Sequence, residues 1–436
     1  MSALRTRLLA ALPVLAGAAW LFGLAWRYQH LLVSHPMTQF VYSDMQSYRD
    51  AALHFADPSY EPKIADTLFP PGAGYFYSLL YRIDPSWELA KWTMFVLSSA
   101  VPLLIGAIAF VVFDAAVASV SIITASLYFH FIDFFGFFLS EGPFIVALLV
   151  GMLLLCSSLR TAGRRRAWAM GFAAGVSFAA AASMRSVALA WIALFGLVVL
   201  VWRVRHRRRG TLAVALAMLL GVGVILAPVG ARCTRLNEGR LCAVSTNAGM
   251  NMLLGHLPFG RAVHWHDRAR GIHHTFGSPP SSQRALFKRE LNVDFGAYDA
   301  ENQAKFLQLA KADPLGTVAV SLDQVFNLFS GTVPWPSSHT DWYRSSLVTE
   351  QAFVVFLLLP ALWPLRRRIA ELVRLDPRAA PETLLALPLV GMMAVSFATL
   401  GEPRYRIPLD GFTMILAASE WVRALRGRDG RRLSLE

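Results

Sequence analysis

Long apolar runs separated by short clusters of arginine recur along this chain and restrict how it can fold. A helix needs about 20 apolar residues to cross the hydrocarbon core of a bilayer. Ten segments approach that length: 8–26, 91–113, 115–132, 141–159, 167–184, 187–202, 211–231, 347–365, 382–400 and 407–423. Because 55% of the 436 residues are hydrophobic and only 16% are charged, the sequence predicts an all-α polytopic membrane protein with about ten transmembrane helices.

The placement of the basic residues predicts the orientation. The net charge of +13 is also typical of nucleic-acid-binding proteins, but here arginine concentrates between the apolar runs. With a cytoplasmic N-terminus, the clusters at 160–166, 203–209, 366–378 and 423–432 all fall on the cytoplasmic side, as the positive-inside rule requires. We therefore expect a protein of the bacterial cytoplasmic (inner) membrane with both termini inside and no nucleic-acid partner.

The same threading places two long polar loops, 27–90 and 232–346, on the extracytoplasmic (periplasmic) side. Short helices are expected in both loops, and residues 314–330 are interpreted as an interfacial helix rather than an eleventh span. The whole chain, 1–436, is then a single integral-membrane domain.

Unusual polar residues gather on that outer side. In the first loop, Asp44 and Tyr48 lie four residues apart and share one face of a predicted helix. Glu141 opens the fourth span, and Arg185 closes the fifth. Between the last two spans the stretch GEPRYR supplies Glu402, Arg404, Tyr405 and Arg406. Each residue alone fits a helix cap or a headgroup contact, but ionisable groups collected at one membrane edge are expensive and favour a functional site.

Three other features are left with ordinary interpretations. Cys156 is expected to be a packing residue, whereas the sequence leaves open whether Cys233 and Cys242 form a disulfide. Asp114 is expected to cap a helix. The stretch HWHDRARGIHH offers ligand-type side chains, but their spacing is loose beside standard zinc motifs, so a solvated loop is favoured. These side chains are His264, His266, Asp267, His273 and His274.

Several stretches, taken in order, resemble the bacterial GT-C-fold membrane glycosyltransferases of the dolichyl-phosphate-mannose-protein mannosyltransferase group and its lipid-modifying relatives. They are SDMQSY and FPPGAGYFYSLL in the first loop, SEGPFIVALLVGMLLL, STNAGMNMLLG and GEPRYRIPLDGFTMILAA. Many relatives carry paired acids in the first loop, whereas Met45 follows Asp44 here. The resemblance implies a GT-C-like fold and a glycosyltransferase activity.

Chemistry outside the cytoplasm requires a sugar donor that has crossed the membrane in lipid-linked form, and a polyprenyl-phosphate sugar meets that requirement. Arg404 is the predicted partner of the donor phosphate, because its planar guanidinium group can donate two parallel hydrogen bonds to phosphate oxygens. Glu402 is expected to orient Arg404, with Arg185 and Arg406 beside it. Asp44 is the predicted catalytic base, with Glu141 as the alternative base or a sugar-hydroxyl ligand. Tyr48 and Tyr405 are expected to bind the sugar, and this scheme requires no metal or other cofactor.

The acceptor (glycan, lipid or protein) is left open, as are three other functions. A transporter or flippase of lipid-linked saccharides would carry polar residues midway along its helices. A polymerase or ligase of surface polysaccharide would use the same class of substrate with a growing glycan as acceptor. A non-enzymatic assembly subunit would tolerate changes at Asp44 and Arg404.

Overall fold

The computed structural model describes residues 2–206, 209–256, 265–267, 272–274, 295–337, 340–374 and 380–426, and helices dominate it. Ten helices form its first half: α1 Ser2–Tyr28, α2 Asp44–Ala56, α3 Gly72–Ile83, α4 Glu88–Val112, α5 Ala115–Leu127, α6 His130–Asp133, α7 Glu141–Arg160, α8 Arg164–Met184, α9 Ala188–His206 and α10 Arg209–Leu236. A π-helical turn, Gln29–Ser34, extends α1, and 3₁₀ turns occupy Ile64–Thr67 and Phe134–Gly136.

The second half adds eight helices: α11 Ala248–His256, α12 Phe295–Ala312, α13 Pro314–Asn327, α14 Tyr343–Phe353, α15 Leu359–Arg374, α16 Ala380–Ala398, α17 Pro403–Arg406 and α18 Asp410–Arg426. A π-helical turn, Val354–Leu358, joins α14 to α15, and a 3₁₀ turn, Ile407–Leu409, joins α17 to α18. Strands β1 Trp265–Asp267 and β2 Ile272–His274 form a small antiparallel hairpin with His266 opposite His273.

The lengths and composition of these helices confirm a multi-pass membrane protein. Among the described residues, six helices are long and apolar enough to span: Arg7–Ser34, Glu88–Val112, Glu141–Arg160, Arg164–Met184, Leu212–Leu236 and Tyr343–Arg366. The pair α5 and α6, bent by 70°, makes a seventh if it is counted as one span. Shorter apolar helices lie at Ala188–Val198 and Glu382–Ala398, so the total of ten spans stays a prediction.

The helix bundle has two chemically different ends. At one end, Arg426 of α18 pairs with Asp114 at 2.7 Å, and Arg160 donates to the Val112 carbonyl oxygen at 2.5 Å. Asp114 also caps α5, accepting from the backbone N–H groups of Ala116 and Val117, as the sequence predicts. The opposite end of the bundle carries the start of α7, the end of α8 and the GEPRYR stretch, because α8 packs antiparallel against α7.

The two long polar loops fold against this second end. The Pro70–Pro71 turn leads into α3, which packs on α2, and Thr67 and Thr246 share a hydroxyl hydrogen bond of 3.1 Å that joins the two long loops. Cys233 and Cys242 form a disulfide with their Cα atoms 5.4 Å apart. This answers the question that the sequence left open.

Other sequence expectations have mixed outcomes. Cys156 is buried and unpaired, and the helix predicted at 314–330 is α13. His264 lies outside the described residues. The side chains of His266, Asp267, His273 and His274 also lie outside them, because the structure describes only the backbone of the hairpin.

Candidate active site

Two arginines and two carboxylates meet at this second end of the bundle. Arg404 bonds through Nε to a Glu141 carboxylate oxygen and through Nη1 to Asp44 Oδ2, the latter at 3.0 Å. Arg185 Nη1 approaches the same Glu141 oxygen, Oε1, at 2.6 Å. Residues far apart in the chain therefore form one ion cluster, which we call the rim cluster: Asp44, Glu141, Arg185 and Arg404.

Each member of the rim cluster stands at a helix end. Asp44 and Glu141 are the first residues of α2 and α7, where a carboxylate is stabilised by the helix dipole. Arg185 directly follows α8, and Arg404 lies in the short helix α17. Ser43 is of a residue type that often caps helices, but its side chain makes no capping bond to α2.

The backbone is strained immediately before Asp44. Ser43 has φ +52°, in a region that favours glycine, and such a conformation costs about 1–3 kcal/mol. Strain of this kind is maintained only where the surrounding structure fixes it. Ser43 directly precedes Asp44, whose carboxylate pairs with Arg404 at 3.0 Å.

Exposure differs sharply across the rim cluster. The Glu141 side chain is wholly buried, those of Arg404 and Arg185 are 6% and 14% exposed, and that of Asp44 is 32% exposed. Two acids and two arginines balance in charge, so no buried charge in the group lacks a counter-charge. Asp44 is therefore the member that an incoming molecule reaches most easily.

The charge of Arg404 is held by its neighbours. Burial alone would lower the pKa of Arg404, but the Glu141 and Asp44 carboxylates outweigh it and hold that pKa well above its ordinary value. The guanidinium is therefore cationic at any physiological pH. It can stabilise an anion by charge as well as by hydrogen bonding.

Tyr48 lies one turn after Asp44 and reaches Glu141 through a serine that sequence reasoning missed. The Tyr48 hydroxyl donates to Ser140 Oγ at 3.2 Å, and the Ser140 hydroxyl donates to Glu141 Oε2 at 3.2 Å. Burial and the nearby Glu141 charge raise the pKa of Tyr48 to about 12. Tyr48 is thus a neutral phenol that helps to fix the Glu141 carboxylate.

Aromatic rings support the two arginines. The Arg404 guanidinium carbon lies 4.5 Å from the ring centre of Trp335, and that of Arg185 lies 5.4 Å from the ring centre of Tyr405. Glu402 is buried, and its Oε1 accepts from the Trp335 backbone N–H at 2.9 Å. Glu402 therefore orients Arg404 indirectly, by holding the tryptophan on which Arg404 packs.

Backbone packing fixes the position of this stretch. Gly401 donates its N–H to the Gln324 side-chain oxygen at 2.9 Å, and a Cβ at position 401 would collide with the Gln324 carbonyl group. Glycine is therefore required for the close approach of this stretch to α13. Trp335 and Gln324 carried no signal in the sequence, because they lie far along the chain from Arg404.

Arg406 does not join the rim cluster. It is fully buried, and its guanidinium bonds to Glu350 and to Asp410 at 2.8 Å and to the Leu328 carbonyl oxygen at 2.8 Å. Tyr128 donates to Asp410 at 2.6 Å in the same network. The predicted role of Arg406 in substrate binding finds no support in this geometry, because its donors already serve buried acceptors.

Replacing Arg406 with alanine is expected to destabilise the protein strongly. The change leaves the Glu350 and Asp410 carboxylates buried without their cation, and breaking a buried pair typically costs about 3–5 kcal/mol. Arg404→Ala should cost less, because Arg185 still pairs with Glu141. Thermal unfolding of the purified variants in detergent measures the difference. A wild-type melting temperature for Arg406→Ala would contradict the structural role.

Two cavities lie near the ends of the bundle. One, of about 230 Å³, lies beside Tyr48 and is lined by α2, Pro70 and Pro71. A larger one, of about 510 Å³, lies at the opposite end of α8, beside Arg164 and Trp168. Tyr48, which lines the smaller cavity, is linked through Ser140 to Glu141 of the rim cluster.

Comparisons with known proteins agree with this architecture. Residues 68–229 match the family model of dolichyl-phosphate-mannose-protein mannosyltransferase, whereas a search of curated proteins finds no match. The fold resembles the archaeal oligosaccharyltransferase AglB from Archaeoglobus fulgidus, solved with an inhibitory peptide and a dolichol-phosphate. That structure is 14% identical, with a TM-score of 0.53, and the match covers 96% of this chain and 52% of AglB.

A second structure of the Archaeoglobus fulgidus oligosaccharyltransferase, tethered to an acceptor peptide containing the NVT sequon, matches at 12% identity. Its TM-score is 0.51, and the match covers 92% of this chain and 49% of the enzyme. This chain thus spans about half the length of those transferases. The described helices and these structural matches show that the chain has the GT-C fold, and residues 68–229 are similar to the dolichyl-phosphate-mannose-protein mannosyltransferase family model.

Proposed function

We propose that this protein transfers a sugar from a polyprenyl-phosphate donor to a hydroxyl or amine acceptor at the periplasmic face of a bacterial cytoplasmic membrane. The observation that carries the proposal is the rim cluster, in which a partly exposed acid faces a buried, permanently charged arginine. The family match and the dolichol-phosphate bound to AglB support a lipid-phosphate donor.

The two arginines supply the donor site. The prenyl tail of the donor stays in the bilayer, and its phosphate reaches Arg404, with Arg185 on the other side of Glu141. Glu141 holds both guanidinium groups in position, since it accepts from each of them. A phosphate oxygen then replaces the Asp44 carboxylate on Arg404, which frees Asp44 to turn toward the acceptor.

The reaction follows from these positions. Asp44 takes the proton from the acceptor O–H or N–H as the acceptor atom bonds to the anomeric carbon. The bond from that carbon to the phosphate oxygen breaks, and polyprenyl phosphate leaves with the electron pair. Arg404 and Arg185 stabilise the charge that develops on the leaving group, and such preorganised stabilisation is commonly a large catalytic term.

The structure supports the proposed sidedness in two ways. Arg160, Arg426 and the arginines at the start of α8 gather at the end of the bundle opposite the rim cluster, as expected for the cytoplasmic end. The Cys233–Cys242 disulfide lies at the rim-cluster end of α10 and suits an oxidising compartment.

A thiol count is expected to test this sidedness. The chain has three cysteines, two of which form the disulfide. If the second long loop faces the periplasm, protein that is denatured in an alkylating agent should show one free thiol without reduction, and three when it is reduced first. Mass spectrometry of alkylated protein measures both values. Three free thiols before reduction would place Cys233 and Cys242 in a reducing compartment.

The transporter alternative is less well supported by the described residues. A carrier needs its polar site near the middle of the membrane, whereas all four residues of the rim cluster stand at helix ends. A polymerase or ligase shares this geometry, and the identity of the acceptor separates it from a simple transferase.

Comparison of cell extracts tests the proposed activity whichever sugar is transferred. Cells that lack the chain should accumulate a polyprenyl-phosphate sugar and lose the matching sugar mass from a glycan, a lipid or a protein. The wild-type chain should reverse both changes, and the Asp44→Asn chain should reverse neither. Equal rescue by the two chains would remove Asp44 as the base, whereas unchanged donor and sugar levels in cells that lack the chain would refute the proposal.

A further inference from the structure

Apart from the rim cluster, the described residues contain a second group of chemistry-bearing side chains: His30, His35 and Asp133, which we call the histidine cluster. All three residues are buried. One possible ligand atom from each residue, a ring nitrogen or a carboxylate oxygen, lies within 4.8 Å of the other two. His30 belongs to the π-helical turn after α1, His35 follows that turn, and Asp133 ends α6.

We propose that the histidine cluster binds a zinc-class divalent cation. The cation would link the end of α1 that leads to His30 with residues 335–337, which include the Trp335 ring on which Arg404 packs. Imidazole nitrogens and a carboxylate oxygen are ligands that zinc prefers, and sites with three such protein ligands leave a fourth position for water. The proposal concerns a site distinct from the rim cluster and does not depend on the proposed transfer reaction.

Unsatisfied ring nitrogens are the first argument for a cation. Both ring nitrogens of His35 and the Nδ1 atom of His30 are buried and make no hydrogen bond of normal geometry. Each unpartnered buried polar atom costs about 1–3 kcal/mol. A metal bound by His30 and His35 would satisfy one nitrogen of each ring. A plain His30–Asp133 hydrogen bond leaves all three nitrogens unsatisfied.

The environment of Asp133 is the second argument. Its carboxylate is fully buried, with Oδ1 at 3.0 Å from His30 Nε2 and Oδ2 accepting from the Ser337 hydroxyl. No arginine or lysine pairs with it among the described residues. A divalent cation would supply the missing positive charge, and Ser337 would orient the carboxylate as outer hydrogen-bond partners of metal ligands commonly do.

Aromatic rings surround the histidine cluster. The His30 and His35 rings are stacked with centroids 5.2 Å apart, and Phe40 stacks on His35 at 3.8 Å. Phe129, Phe137 and Trp342 make edge contacts with the same two imidazoles. Such a rigid, apolar shell keeps the ligands close together and limits the access of bulk solvent to a bound ion.

The cluster is tied to the rim through a short strap, residues 335–337. Ser337 bonds to Asp133, the Tyr42 hydroxyl donates to the Pro336 carbonyl oxygen at 3.1 Å, and Trp335 carries Arg404. A cation at His30, His35 and Asp133 would therefore stabilise both the segment that leads to Asp44 and the ring on which Arg404 packs.

Metal analysis of the full chain, purified in detergent with an affinity tag that contains no histidine, tests the proposal. After treatment with a chelator and reloading with Zn²⁺, the wild-type chain should retain one more zinc per chain than His35→Ala. His256→Ala is the matched control, because both ring nitrogens of His256 already have partners. It should bind as much zinc as the wild type. Equal zinc in the wild type and His35→Ala, or none in either, overturns the proposal.

A second variant tests the metal site even if the His35→Ala protein does not fold. His35→Cys keeps a metal ligand at the position, so Co²⁺ bound there should show a thiolate-to-cobalt charge-transfer band that the wild type lacks. Cobalt binding by His35→Cys without that band would place the cation elsewhere and refute the assignment.

Discussion

Replacing Asp44 with asparagine is expected to lower the rate of sugar transfer about 10²–10⁴-fold, the usual contribution of a general base. The amide cannot take the acceptor proton, although its shape is nearly that of the carboxylate. Because the Asp44 side chain is 32% exposed, the substitution should leave the fold intact. Initial rates measured in proteoliposomes with varied donor concentration should show a fall in kcat rather than a rise in KM for the donor.

Asp57→Asn provides a matched control for this experiment. Asp57 directly follows α2 and is exposed, and its carboxylate accepts from the backbone N–H and the hydroxyl of Ser59, so its loss should leave transfer near the wild-type rate. Near-normal turnover by a folded Asp44→Asn protein would remove Asp44 from the role of base and leave Glu141 as the alternative.

Replacing Arg404 with alanine is expected to reduce transfer about 10²–10³-fold, the usual effect of removing one donor that stabilises developing charge. The leaving phosphate loses its buried cation, and Asp44 loses its partner at 3.0 Å. Arg404→Lys should recover only part of the activity, because lysine restores the charge but cannot donate two parallel hydrogen bonds as a guanidinium group does. The same proteoliposome assay measures both variants.

The control for Arg404 is Arg235→Ala, which removes an exposed arginine near the end of α10. It changes the net charge equally and should not affect transfer. If Arg404→Ala and Arg235→Ala proteins transfer sugar at the same rate, a phosphate site at Arg404 is ruled out.

The helices were largely predictable because a bilayer demands long apolar runs, and the chain carries such runs as local, continuous patterns. Helix α7 begins at Glu141 and helix α8 ends one residue before Arg185, in agreement with the sequence pattern. The bend between α5 and α6 was not predictable, because the apolar run 115–132 continues through it.

The candidate site was predictable in part. The sequence pattern predicts that its charged members lie at one edge of the membrane, since each stands at or beyond the end of an apolar run, and the structure brings Asp44, Glu141, Arg185 and Arg404 together. The sequence pattern groups Arg404 with Arg406, yet residues two apart in a helix project about 200° from each other. That geometry explains why Arg404 reaches the rim cluster while Arg406 turns into a buried network with Glu350 and Asp410.

Residues whose roles depend on contacts with distant parts of the chain could not be identified from the local sequence pattern. Trp335 supports Arg404 from 69 positions away, since 404 − 335 = 69. Arg27 falls at the start of a predicted loop, but it is fully buried and donates to backbone carbonyls of Gly23, Ser98 and Ser126. Such partners are fixed by helix packing, which a pattern of residue types does not specify.

Polyprenyl phosphate is the most direct probe of a phosphate site at the rim cluster, because it is the common product whatever the sugar. Its affinity for purified chain in lipid nanodiscs can be measured for the wild type, Arg404→Ala and Asp44→Asn. We expect Arg404→Ala to bind about 10–100-fold more weakly, as for loss of a charged hydrogen bond, and Asp44→Asn to bind at least as tightly as the wild type. Unchanged affinity in Arg404→Ala would contradict a lipid-phosphate site between Asp44 and Arg404.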